Sequence, residues 1–112
     1  MARVAAYIPD LLFGSNVVGA LGAAGHDVEL VSAPDAAASS DLLVVDLTAD
    51  VEERLASVRP VLGSVPSLAF YSHVEADVRD RALAAGFDVV VPRSRMAREG
   101  PAIVERLLAT GR

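Results

Sequence analysis

Residues 41–46 have the sequence DLLVVD, in which four consecutive apolar residues lie between two aspartates. A short apolar run that is continuous rather than alternating is typical of a strand buried on both faces of a parallel sheet. Four more short runs of this kind occur along the chain. Together the runs predict five strands, at Val4–Ile8, Val28–Val31, Leu42–Val45, Ser67–Tyr71 and Val89–Val91.

Helical patterns lie between the predicted strands. Apolar residues recur at helical spacing in Leu12–Ala24, Asp50–Leu62, Glu75–Ala85 and Glu99–Thr110. Asp50 is a predicted N-cap, and Pro60 is expected to kink its helix or end it early. Ala33–Ser40 is Ala-rich and polar, which predicts a short, weak helix or a loop. Strands that alternate with helices predict a parallel sheet covered by helices on both faces.

The composition limits the class of protein. The 112 residues suffice for one domain, and we expect residues 1–112 to form it. With 53% apolar residues but only 4% aromatic, the core must consist of Val, Leu and Ala. The chain lacks cysteine, which excludes disulfides and thiolate chemistry. No apolar run approaches the roughly 18 residues of a membrane span, and no secretory signal is visible, so we expect a soluble, cytoplasmic protein.

The charge pattern also limits the partners. The net charge is −5, and all ten basic residues are arginine. A nucleic-acid-binding protein would normally present a basic face, so we expect neither nucleic acid nor a membrane as partner.

Side chains that can bind an anion or a metal ion, or act as a nucleophile, follow three of the predicted strands. In a parallel sheet, ligands bind outside the carboxyl ends of the strands. Asp46 follows the third strand, Ser72 and His73 the fourth, and Arg93 the fifth. A carboxylate can act as nucleophile or metal ligand, while a hydroxyl and a guanidinium can donate to a phosphoryl oxygen. These positions predict an oxyanion or phosphate pocket.

Three segments resemble the response-regulator receiver family: DLLVVDL at 41–47, FYSH at 70–73 and RALAAGFDVVV at 81–91. The resemblance covers essentially the whole chain. It implies a CheY-like, doubly wound fold of the flavodoxin type with strand order 2-1-3-4-5. It also implies that Asp46 is the possible phosphoacceptor, that Ser72 takes the place of the family's Thr or Ser, and that Arg93 takes the place of its invariant Lys.

The chain also departs from the family pattern. The two adjacent acids with which the family holds Mg²⁺ fall on Ile8 and Pro9, and only Asp10 is acidic. Asp10 and Asp46 would therefore form at most a weak magnesium site. Arg93 keeps the positive charge of the family's lysine, but a planar guanidinium is not equivalent to an ammonium. The aromatic switch position falls on Val90. We therefore expect an atypical or pseudo-receiver with an incomplete phosphorylation site.

Each candidate residue also has a plainer interpretation. Asp46 is either a phosphoacceptor or the cap of the following loop. Ser72 is either an oxyanion donor or a turn residue that caps the next helix. Arg93 either pairs permanently with Asp46 or is solvated. His73 is either an acid–base group or an exposed residue without a chemical role. His26 is expected to have a structural role at the end of the first helix.

Three functions follow from these alternatives. The first is a signalling module that is not an enzyme and binds a protein partner, or a second copy of itself, through the helix predicted at Glu75–Ala85, the fifth strand and the last helix. The arginine-containing cluster at Arg95, Met96 and Arg98 is expected in a turn beside that face. The second is a competent single-domain regulator, with Mg²⁺-dependent self-phosphorylation on Asp46 as its only reaction. The third is a small flavodoxin-like cofactor-binding protein.

Overall fold

The five predicted strands form one parallel sheet with strand order β2-β1-β3-β4-β5. The computed structural model describes residues 2–72 and 75–110, except for the side chains of Ala36 and Ala76. The strands are β1 Arg3–Tyr7, β2 Asp27–Leu30, β3 Leu42–Leu47, β4 Ser67–Tyr71 and β5 Val89–Pro92. The helices are α1 Leu11–Ala23, α2 Val51–Val58, α3 Ala76–Ala85 and α4 Arg93–Thr110. The predicted fold class and strand order are confirmed.

The inner strands β1, β3 and β4 are largely buried on both faces, as the continuous apolar runs predict, whereas the edge strand β2 is mostly exposed. Every residue of the central strand β3 is buried. Side chains of alternating strand residues enter two separate apolar cores. One core contains Val44 and Phe70 together with residues of α1 and α4, and the other contains Val45 together with residues of α2 and α3. Helices therefore cover both faces in a three-layer arrangement.

The last helix differs from its prediction. It begins at Arg93, directly after β5, and not at Glu99. Pro101 lies inside the helix. Because Gly100 and Pro101 interrupt the helical pattern, the sequence did not predict the first two turns. Met96 is buried in the core, so the cluster at Arg95, Met96 and Arg98 lies on a helix and the predicted turn is wrong.

Two further details concern α2 and the short segment before β3. Helix α2 ends at Val58, and Pro60 lies in the 3-10 turn Arg59–Val61, so the early end is confirmed. Asp50 stands before the first residue of α2 in a left-handed conformation, with φ 48°, and its side chain accepts no capping hydrogen bond. Asp50 therefore occupies the predicted N-cap position, but its side chain does not form a capping hydrogen bond. A 3-10 helix at Pro34–Ser39 matches the weak helix expected before β3.

Candidate functional site

The parallel register brings the predicted site residues to one edge of the sheet. Leu47 pairs with Tyr71, and Tyr71 pairs with Pro92. Ser72 and Arg93 each follow one of these paired residues, while Asp46 immediately precedes Leu47. The carboxyl ends of β3, β4 and β5 therefore present the three residues at a common edge, as predicted.

Asp46 is buried, and both of its carboxylate oxygens have protein partners. Its side chain is 1% exposed. Oδ1 accepts hydrogen bonds from the backbone N–H of Thr48, at 2.8 Å, and from the Thr48 hydroxyl. Oδ2 lies 3.4 Å from Nη1 of Arg54. A carboxylate in this setting is neutralised and oriented by the chain itself.

Arg54 is the residue of this site that sequence reasoning missed. It lies on α2, its side chain is 10% exposed, and its Nη1 donates to the backbone oxygen of Asp46 at 2.9 Å. Its Nη2 lies 3.6 Å from Oδ2 of Asp50. One signal was present in the sequence: Arg54 is three residues after Val51 and four before Val58, so it lies on the apolar face of α2.

Arg93 does not pair with Asp46. Its guanidinium carbon lies 5.6 Å from the ring centroid of Phe13, and that ring stacks on Phe70 with the centroids 4.8 Å apart. No ion pair joins Arg93 to any acid within residues 2–72 and 75–110. Of the two alternatives for Arg93, the ion pair with Asp46 is not found, because Arg54 reaches Asp46 from α2 while the first turn of α4 directs Arg93 toward α1.

The remaining candidates have other roles. The carbonyl of Ser72 accepts a hydrogen bond from the backbone N–H of Glu75, and α3 begins only at Ala76, so Ser72 is a turn residue and not the helix cap. His73 lies outside the described residues. His26 Nε2 lies 2.7 Å from Glu105, and its Nδ1 accepts from the N–H of Ala2, which agrees with the expected structural role.

The two acids proposed for Mg²⁺ fit that ion poorly. Asp10 is the N-cap of α1, and its Oδ1 accepts a hydrogen bond from the backbone N–H of Phe13 at 3.0 Å. Asp46 has the partners given above, and Ile8, at the family's first acid position, is buried in the apolar core. A hard dication needs several free oxygen ligands. Within the described part of the chain, no group of three or more His, Cys, Asp or Glu side chains is placed to hold a metal ion.

A cavity of about 480 Å³ opens between α1 and α4 at this edge of the sheet. Val17 and Leu21 of α1 and Met96 of α4 supply apolar walls. Its polar lining comes from Asn16, Ser72, Arg93 and Ser94. Ser72 and Arg93 therefore meet at this cavity, whose lining does not include Asp46.

Comparison with solved structures identifies the fold as that of receiver domains. A receiver from Burkholderia phymatum superposes with a TM-score of 0.81 at 20% identity, covering 97% of this chain and 96% of that one. The non-phosphorylated HemR receiver domain from Leptospira biflexa gives 0.78 at 20% identity, covering 100% and 98%. NtrX from Brucella abortus, in complex with ADP, gives 0.82 at 18% identity; the match covers 97% of this chain but only 26% of NtrX.

Two comparisons at the level of sequence found no match. No protein-family model matches the chain, and no curated protein matches it. Among the described residues, none of the helices combines the length and the apolar character needed to span a bilayer.

Proposed function

We propose that this chain is an atypical receiver-like signalling module that works by protein–protein contact without phosphorylation. The observation that carries the proposal is the state of Asp46, whose carboxylate is buried and held by Arg54 and Thr48. In phosphoryl transfer the attacking oxygen must lie roughly in line with the leaving oxygen of the phosphodonor, and a bound metal ion neutralises the developing charge. Asp46 is already neutralised by Arg54, and no group of three or more metal-ligating side chains is found among the described residues, so the site offers neither a free carboxylate nor a built metal site.

The buried pair also resists rearrangement. Exposing Asp46 to a phosphodonor requires Arg54 to leave, which would strand a carboxylate in a nearly dry site. Breaking a buried ion pair by removing one partner costs about 3–5 kcal/mol. Phosphorylation of Asp46 would have to overcome a cost of this kind before any chemistry began.

Beryllofluoride, a phosphate mimic, tests the proposal. We expect 10 mM MgCl₂ with beryllofluoride to leave the thermal midpoint of the protein unchanged, while a receiver with a complete acid set, measured in parallel, is stabilised. A stabilisation that the Asp46→Asn variant abolishes would instead favour the second candidate function, a competent single-domain regulator with Asp46 as phosphoacceptor.

The expected partner surface consists of α3, β5 and α4, and this assignment remains a prediction. Arg79 and Arg81 of α3 and Arg95 and Arg98 of α4 lie among acids of the same helices, which offers both signs of charge for reciprocal pairing. Leu83 of α3 is 38% exposed on this surface. A second copy of the chain or another protein with a matching charge pattern would suit it.

Sedimentation analysis tests the self-association part of this prediction. If the α3–β5–α4 surface forms a homodimer, Leu83→Glu should shift the protein toward monomer. Leu12→Glu is the matched control, because Leu12 is 75% exposed at the start of α1. A dimer that Leu12→Glu breaks and Leu83→Glu leaves intact would move the interface to the α1 end of the molecule.

The remaining expectations belong to the same proposal. A single domain over residues 1–112, a cytoplasmic location, the lack of an enzymatic reaction and the lack of a nucleic-acid partner all stay predictions. The flavodoxin-like alternative is the least supported, because the only polar flavin-phosphate candidates after β1, Ser15 and Asn16, are exposed on α1 and aromatic residues are scarce. A colourless purified protein would count against it.

A further inference from the structure

The cavity between α1 and α4 has the size and asymmetry of a small-molecule site. Its volume of about 480 Å³ lies within the roughly 300–1,000 Å³ that is usual for ligand pockets. Small side chains create the space, since Ala20 of α1 and Ala97 and Gly100 of α4 line it. A Cβ atom on Gly100 would lie 3.3 Å from Cε of Met96, so the glycine lets Met96 pack closely against its own helix.

One end of the cavity carries positive charge without a counter-ion. Within the described ranges, no acid pairs with Arg93, and its guanidinium lies over the face of Phe13. A cation over an aromatic ring at an exposed site is held only weakly, so an anion would readily compete for or share the guanidinium. The hydroxyl-bearing residues Ser72 and Ser94 line the same cavity and can donate to an oxyanion.

The rest of the cavity is apolar. Val17 and Leu21 belong to the core, and Met96 is 4% exposed, so these walls are fixed by packing against the sheet. The polarizable thioether of Met96 makes favourable contacts with aromatic as well as aliphatic groups. The lining thus joins a cationic, hydrogen-bonding end to an apolar body.

From this lining we propose that the α1–α4 cavity binds a small organic anion: a carboxylate whose apolar part lies against Val17, Leu21 and Met96 and whose oxygens meet Arg93 and the nearby serines. Ser72 and Arg93, which the sequence assigned to phosphate, would thereby serve a different anion. The inference is independent of the state of Asp46, which does not line the cavity.

A matched pair of probes tests the assignment on the full chain. ¹⁵N-labelled protein is titrated with 2-naphthoate and with the neutral 2-naphthalenemethanol while backbone amide shifts are followed. We expect saturable shifts confined to α1, the first two turns of α4 and the end of β4, with 2-naphthoate binding at least tenfold more tightly. Absence of saturable shifts, shifts elsewhere, or equal affinity for the two probes would overturn the proposal.

Variants distinguish the contribution of the Arg93 charge to binding from the contribution of the cavity space. Arg93→Gln should abolish the preference for the carboxylate, whereas Arg106→Gln, which removes an exposed arginine of α4 outside the cavity lining, should preserve it. Ala97→Phe should fill the cavity and weaken both probes at least tenfold; Ala20→Phe, which fills it from α1, replaces that variant if its amide spectrum is not native. Unchanged binding in Arg93→Gln, or in a natively folded cavity-filling variant, would contradict the inference.

Discussion

Nη1 of Arg54 contacts Asp46 twice: it donates to the backbone oxygen at 2.9 Å and lies 3.4 Å from the carboxylate Oδ2. The contact joins the end of β3 to the first turns of α2 across eight residues of sequence. Where the receiver resemblance places a reactive carboxylate, this chain has a buried ion pair. The proposed independence from phosphorylation follows from that pair.

Removing Arg54 should strongly destabilise the protein. Arg54→Met leaves Asp46 buried without its charge partner, and we expect a loss of about 3–5 kcal/mol in the free energy of unfolding, measured in urea. The control is Arg59→Met, at an exposed position beyond the end of α2, which should change stability by about 0.5 kcal/mol or less.

The double variant Asp46→Asn/Arg54→Met should be more stable than the sum of its single changes predicts. The neutral amide relieves the stranded charge, and residues in direct contact couple by about 0.5–3 kcal/mol. Additive effects would mean that the two side chains do not form the pair described here.

Thr48 should support Asp46 through its hydroxyl as well as its backbone. Thr48→Val keeps the shape and the backbone N–H but removes the hydroxyl donor to Oδ1. Hydrogen bonds to charged groups contribute about 1.5–3 kcal/mol, and we expect a loss of that size in chemical unfolding. Thr48→Ser should retain most of the stability, and an equal loss in both variants would assign the effect to packing instead.

Asp10 should act as a helix cap and not as a metal ligand. Asp10→Ala removes the acceptor for the N–H of Phe13 and should cost about 1 kcal/mol, while Asp10→Asn should cost much less. The loss in the free energy of unfolding should be the same with and without 10 mM MgCl₂ for each of the two variants. A loss that depends on magnesium would restore Asp10 to a metal site.

Two glycines should respond in opposite directions to alanine. Gly19 lies inside α1 with nothing within 4 Å of an added Cβ, so Gly19→Ala should stabilise the protein by about 0.5–1 kcal/mol. Gly25 follows α1 with φ +98°, so Gly25→Ala should destabilise it by about 1 kcal/mol or more. Thermal unfolding of the two variants checks the pair, and the same sign of change in both would contradict the described backbone.

The fold was predictable because its signals are local. Continuous apolar runs mark the strands, and all five predicted strands overlap observed ones. The start of α4 was missed because Gly100 and Pro101 interrupt its pattern, although Met96 continues the buried face one turn earlier. A helix pattern with Gly and Pro at its centre does not reveal how far it extends toward the N-terminus.

The site was predictable in position but not in pairing. Strand-end residues in a parallel sheet reach one edge whatever their chemistry, which is why Asp46, Ser72 and Arg93 were identified. The choice between Arg54 and Arg93 as partner of Asp46 depends on the direction of two long side chains from different helices. Spacing places Arg54 on the apolar face of α2, but it does not show which of the two arginine side chains reaches Asp46, so the pairing of Arg93 with Asp46 stayed an open alternative.

Intact-mass spectrometry after incubation with acetyl phosphate and MgCl₂ tests the central claim most directly. The account predicts that the unmodified mass persists, while a receiver with a complete acid set gains a phosphoryl group under the same conditions. A phosphoryl adduct that maps to Asp46 and disappears in Asp46→Asn would contradict the account, because it would show that Arg54 releases the carboxylate and that the chain works as a phosphorylated regulator.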